Sequence, residues 1–200
     1  FSYGMIELPS GKMKSREGNV VDADDLIDEI KNLSKKIIKE KNSKIDSKET
    51  DRLSNIIGMG ALRFFILKYD PKRNFIYNPE ESLSFEGETG PYVQYTHARI
   101  YSILKKSKLS NKINYNNFNK EEFTLIKKLS EFPEIVKESA LKYKPNLICN
   151  YILQLCQLFN NYYSKYEIKT SKERLFLASK IKQVISTSLN LLGIEAPESM

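Results

Sequence analysis

One histidine, two cysteines and no long apolar run occur in this 200-residue chain, and each scarcity removes a class of function. With His97 as the sole imidazole, no histidine-based metal cluster and no Ser–His or Cys–His pair can be assembled away from that residue. Cys149 and Cys156 lie seven positions apart on one predicted helix, about 10 Å along its axis and too far to be bridged. They read as buried, reduced thiols of a cytosolic protein. Nothing approaches the roughly 18 consecutive apolar residues of a membrane span. No signal peptide is visible and no internal repeat is found. The opening Phe1-Ser2-Tyr3-Gly4 begins as if in mid-strand, so the chain reads as the carboxy-terminal piece of a longer protein.

Set against those absences, a hydrophobic content of 40% is enough for a real core. The formal charge of +7 and the pI near 9.2 suit a polyanionic partner. Lys, Asn and Ile crowd the chain while Arg is scarce, a pattern that AT-rich codon usage produces on its own. The charge therefore adds only modestly to the case for RNA.

Gly11-Lys-Met-Lys-Ser-Arg-Glu-Gly-Asn19 carries the strongest chemical signal. It follows a short apolar run (Tyr3, Met5, Ile6, Leu8) that reads as a strand ending at Pro9, and it precedes a helix opening at Asp22. Three cations, Lys12, Lys14 and Arg16, sit between two glycines. Positioned cations of this kind stabilise the charge that builds on a polyphosphate during phosphoryl or nucleotidyl transfer.

Helical period dominates the rest. Asp22 is an N-cap for a helix with Leu26, Ile27, Ile30, Leu33, Ile37 and Ile38 on one stripe. The run Asp22, Asp24, Asp25, Asp28 and Glu29 fits the helix-dipole preference for acids at that end better than a magnesium site. Lys39 to Lys48 is polar and breaks the pattern. A second helix is predicted from about Thr50 to Tyr69, with Gly58 and Gly60 inside it explained by close backbone packing. Asp70-Pro71 ends it, Phe75 to Tyr77 is extended, and Asn78-Pro79-Glu80-Glu81 starts a short helix. Gly87 and Gly90 mark a hinge before a helix from Pro91 to about Lys106. Past an Asn-rich loop, Leu109 to Asn119, the remainder reads as a helical bundle. Asn119 with Glu122 and Thr170 with Glu173 resemble capping boxes; Pro133 and Pro145 start helices; Gly193 closes the last.

Several of these stretches match one family. The loop at Gly11–Asn19 resembles the Lys-Met-Ser-Lys-Ser loop of class I aminoacyl-tRNA synthetases, and its flanks are similar to those of arginyl-tRNA synthetases. Gly60-Ala61-Leu62-Arg63-Phe64-Phe65-Ile66-Leu67-Lys68-Tyr69 looks like that family's connector helix. Phe85-Glu86-Gly87-Glu88-Thr89-Gly90-Pro91-Tyr92-Val93-Gln94-Tyr95-Thr96-His97-Ala98-Arg99-Ile100 is the most specific stretch, similar to the entry into the family's anticodon-binding domain. Leu158-Phe159-Asn160, Tyr163 and the closing Gly193-Ile194, Pro197 and Met200 resemble the family's last helices and tail. The resemblance implies a mainly α fold: the end of a class I, Rossmann-type catalytic domain over 1–21, a connector over 22–87, and an antiparallel helical-bundle anticodon-binding domain over 88–200.

The resemblance also implies roles. Gly11, Lys12, Met13 and Ser15 would bind ATP, and Lys12, Lys14 and Arg16 would act in catalysis. Lys14 stands where the family usually has Ser, Ser15 where class I enzymes have the second Lys, and Arg16 in the final Ser position. Lys12 is the safest carry-over; Lys14 or Arg16 either supplies a second charge from a shifted position or is an exposed side chain. The tRNA-binding candidates are Tyr92, Gln94, Tyr95, Arg99, Tyr163 and Met200. Tyr92, Tyr95 and Tyr101 either stack on bases or serve as core with a wet hydroxyl. His97 and Arg99 read as helix-surface or buffering contacts within the bundle rather than catalytic groups. ATP is the implied substrate, with Mg2+ expected from the family but no metal site in this chain. Arginine tRNA, ATP and L-arginine are the expected partners of a cytoplasmic monomer with no membrane association. A single histidine cannot form the class I His-x-Gly-His signature, so that half of the nucleotide site is expected upstream of Phe1, and the chain alone is expected to be inactive. An RNA-binding module without catalysis, or a basic helical interaction protein, stays open as an alternative.

Overall fold

The computed structural model describes residues 2–7, 22–42, 45–110 and 112–200. It divides into two compact units, Phe1–Tyr92 and Val93–Met200. Each is mainly helical.

In the first unit, β1 (Ile6–Glu7) pairs in parallel with β2 (Phe75–Ile76), Ile6 opposite Phe75 and Glu7 opposite Ile76. Helices α1 (Ala23–Lys41) and α2 (Ser47–Leu67) pack on each other, and α3 (Pro79–Ser82) is a single turn. Asp22 caps α1 through its own carboxylate, which accepts from the Ala23 N–H, and Asp24 and Asp25 occupy the first turn. The apolar stripe of α1 faces α2 through Ile30 and Ile38, with Ser34 buried between them. The close approach expected at the α2 glycines is present: a Cβ on Gly58 would lie 3.3 Å from the Ile30 carbonyl oxygen, and one on Gly90 would lie 2.5 Å from that of Gly60. Helix α2 starts at Ser47, earlier than its sequence pattern shows. Thr50 lies inside it, its hydroxyl bonded to the Asp46 carbonyl and its side chain fully buried.

Helix α4 (Gly90–Lys105) leads into the second unit, which contains α5 (Lys120–Ser130), α6 (Phe132–Lys142), α7 (Asn146–Lys165) and α8 (Lys172–Leu191). Helix α7 is its axis, packing against α5, α6 and α8, and Ile152, Leu155, Cys156 and Phe159 on it are sealed from solvent. Both cysteines are buried thiols. Burial pushes the Cys156 thiol up to about 12, which leaves it protonated and inert. The Asn119–Glu122 capping box forms, with both reciprocal hydrogen bonds in place. The one expected at Thr170–Glu173 does not. Thr170 closes a short 3-10 turn and donates its hydroxyl to the Glu167 carbonyl, so Ser171 caps α8, accepting from the Glu173 and Arg174 N–H groups.

Candidate functional site

The candidate ATP loop, Gly11, Lys12, Met13, Lys14, Ser15 and Arg16, lies outside the described residues. The candidate RNA-contacting residues are described, and four of them converge in the second unit.

Helix α4 brings Tyr95, Arg99 and Ser102 onto one side because a spacing of three to four residues returns to the same face, and Lys106 follows directly after its end. These residues line a groove of about 410 Å³ with Ala98, Tyr163, Lys169 and the closing residues Ser199 and Met200. Arg99 sits between two rings, its guanidinium carbon 4.7 Å from the Tyr95 centroid and 5.3 Å from that of Tyr163. One guanidinium nitrogen donates to Asn160 Oδ1 at 2.7 Å, and Asn160 donates in turn to Thr96 Oγ1 at 3.0 Å. The plane of Arg99 is thus held from behind, while Tyr95 and Tyr163 stay 40% and 38% exposed. Phe159 stacks beneath Tyr163 at 6.1 Å. A second hollow of about 440 Å³ continues past Tyr163 along Lys165, Tyr166 and Lys169. Exposed aromatic faces next to lysines, open to solvent and backed by rigid helices, suit unstacked bases with their phosphates.

The far wall of the groove comes from the segment after α8. Gly193, at φ 68°, turns the chain out of the helix, and the Gly193 and Ile194 N–H groups return to the Asn190 and Leu189 carbonyls, the Schellman closure. Gln94 Nε2 then donates to the Glu195 carbonyl at 2.9 Å. His97 Nδ1 lies 2.8 Å from the Pro197 carbonyl, and since a carbonyl only accepts, the proton is on Nδ1. His97 is 3% exposed, and burial lowers its pKa below the ordinary histidine value.

Known proteins match both parts of the chain. The DALR anticodon binding domain matches residues 93–200, and the class I (R) tRNA synthetase catalytic domain matches residues 1–79. The protein named arginine–tRNA ligase of Flavobacterium psychrophilum is 42% identical over 208 residues, covering 100% of this chain and 35% of that protein. Its namesake from Parabacteroides distasonis is 40% identical over 215 residues, covering 100% and 36%. The solved arginyl-tRNA synthetase of Thermus thermophilus superposes with a TM-score of 0.90 at 32% identity, over 99% of this chain and 35% of that one. The chain belongs to the arginyl-tRNA synthetase family. It spans about a third of the length of the curated relatives it matches.

Of the residues that the family resemblance proposes for RNA, Tyr95, Arg99, Tyr163 and Met200 share the groove. Gln94 is fully buried and its amide donates to the Glu195 carbonyl, which places it behind the groove wall. Tyr92 is half-buried and does not line the groove. His97 is likewise no surface residue but an internal support. Lys106 and Lys169 are groove residues that the sequence reading did not single out. Lys106 continues the Tyr95–Arg99–Ser102 spacing and was legible in it. Lys169 sits on the 3-10 turn Ile168–Thr170, for which no periodic signal exists.

Proposed function

We propose that this chain supplies the RNA-binding part, and one loop of the ATP site, of an enzyme that attaches arginine to its tRNA. One observation carries the reading: an Arg99 guanidinium held between two half-exposed tyrosines, in the region matched by the anticodon binding domain. The groove takes unstacked bases of the anticodon loop on Tyr95, Tyr163 and Met200, while Arg99, Lys106 and Lys169 face its phosphates. Residues 1–21 serve as the end of the catalytic domain, 22–87 as a connector and 88–200 as the binding domain.

In the whole enzyme, the arginine carboxylate attacks the α-phosphate of ATP and releases pyrophosphate. The terminal adenosine hydroxyl of the tRNA then attacks the carbonyl of the arginyl-adenylate, taking the arginyl group and releasing AMP. Lys12 stabilises charge on the leaving pyrophosphate, and Lys14 or Arg16 adds a second cation. That contact accelerates the reaction only so far as it is stronger in the transition state than with bound ATP. Mg2+ accompanies ATP and offsets phosphate charge. No three of the described His, Cys, Asp and Glu residues gather to hold a metal, and none is assigned to it.

Binding of the chain to an arginine tRNA transcript and to an unrelated tRNA, across a salt series, tests this. Preference for the arginine tRNA is expected, with affinity falling by a log–log slope of about 0.7 to 0.9 for each neutralised phosphate. A flat salt response, or equal affinity for both tRNAs, refutes the reading.

A further inference from the structure

Helix α4 carries two faces with different jobs. Tyr95, Arg99, Ser102 and Lys106 look into the groove. Gln94, His97 and Tyr101 form a second stripe, roughly a third of a turn around the helix, and this stripe meets the segment 194–200. Gln94 takes the Glu195 carbonyl and His97 takes the Pro197 carbonyl. Two anchors about one turn apart therefore hold alternate residues of one segment. Both backbone anchors come from buried side chains, Gln94 at 0% and His97 at 3% exposure, so water does not compete for them. Met200 is only three positions on from Pro197, a reach of about 10 Å. Fixing the Pro197 carbonyl thus restricts where Met200 can stand.

We propose that Gln94 and His97 are positioning residues for RNA binding, a latch that seats segment 194–200 so that Ser199 and Met200 form the far wall of the groove. Neither side chain touches RNA. Their effect passes entirely through the seated segment, which removes in advance the entropy cost of ordering it when the ligand arrives. The inference rests on the groove being the RNA site proposed above, and the test separates the two.

The test uses the 200-residue chain and an arginine tRNA transcript. The variants are Gln94→Met and His97→Leu, each similar in volume but unable to donate, and His97→Asn, whose Nδ2 stands the same number of bonds from the backbone as His Nδ1. Each is made in the full chain and in a chain ending at Glu198, which keeps both anchors but lacks the wall residues. In the full chain, Gln94→Met and His97→Leu should each weaken binding by about tenfold, the scale of one lost base stack, and His97→Asn should restore most of it. In the chain ending at Glu198, the same substitutions should leave the residual affinity unchanged, because coupling through a shared element makes their effects non-additive. Equal losses in both chains, or no rescue by His97→Asn, overturn the latch and make these residues ordinary core. Loss of affinity on removing Ser199 and Met200, with no effect of the latch variants, also overturns it while leaving the groove in place. If removing Ser199 and Met200 changes nothing, the groove wall itself is wrong, and the latch falls with it.

Discussion

At the scale of single residues, Glu122 does more than close a capping box. Its carboxylate accepts from the Asn119 N–H, the Tyr162 hydroxyl and Arg174 Nε at 2.7, 2.5 and 3.0 Å, at only 2% exposure. Tyr166 stacks on Tyr162 and lies under the Arg174 guanidinium, and burial with the adjacent carboxylate raises the Tyr162 pKa. Removing the shared acceptor strands a cation and a phenol at once. Glu122→Ala should therefore cost about 3–5 kcal/mol, and Tyr162→Phe only about 1–2. Urea unfolding reads both; similar losses would show that Glu122 is not the node. His97 sets a pH dependence. Burial is the main cause lowering its pKa, with the Lys182 charge adding to it, while the Pro197 hydrogen bond and Glu198 oppose. The unfolded chain, titrating near 6.5, then binds more protons than the folded one in the window just below that value. Stability should rise with pH through that window and fall as pH drops from 7 towards 5. The loss ends once pH passes the folded pKa. His97→Asn should flatten this part of the urea-midpoint profile, and an unchanged slope would assign the dependence to another group.

The same helix ending occurs twice with different chemistry. After α8, Gly193 at φ 68° and Ile194 close the helix onto the Asn190 and Leu189 carbonyls. After α6, Tyr143 at φ 53° and Lys144 close it the same way onto the Ala140 and Ser139 carbonyls. Glycine enters the left-handed region freely, whereas an L side chain there costs roughly 1–2 kcal/mol. Tyr143 is 72% exposed, so little packing offsets the cost. Tyr143→Gly should stabilise the chain by about 1 kcal/mol and Gly193→Ala should destabilise it by a similar amount. Thermal melts of the two variants moving in the same direction would contradict this account of the helix ends.

Across the whole molecule, the proposed function assigns binding to the aromatic groove and chemistry to the Lys12 loop. The chain holds one histidine, and no His-x-Gly-His can be formed from it. Arginine-dependent pyrophosphate exchange by the 200-residue chain, with tRNA present, should stay at background, and clear turnover would refute the division. In an enzyme that contains this chain with the missing half of the site, Lys12→Ala should slow adenylate formation by about 10²–10³ while changing ATP affinity far less. Single-turnover kinetics distinguish these, and an unchanged chemical step with weaker ATP binding would remove Lys12 from its assigned role.

Sequence alone determined the mainly helical fold, the Asp22 and Asn119 caps, the turn at Gly193 and the family, because these depend on period, on residues within one turn, or on contiguous motifs. The glycines of α2 were legible for the same reason, although the partner of Gly60 was not. Tertiary structure decided everything whose partner lies far along the chain. Gln94 and Tyr95 are neighbours of equal promise in the sequence, yet one meets Glu195 and is sealed while the other opens into the groove. Thr170 reads as the cap of α8 in the sequence, but the 3-10 turn engages its hydroxyl and Ser171 caps the helix instead. Arg99 gains its fixed plane only from Asn160 on α7. Periodicity assigns a side chain to a face of its helix, but the packing of the helices decides which faces are covered and which elements cover them.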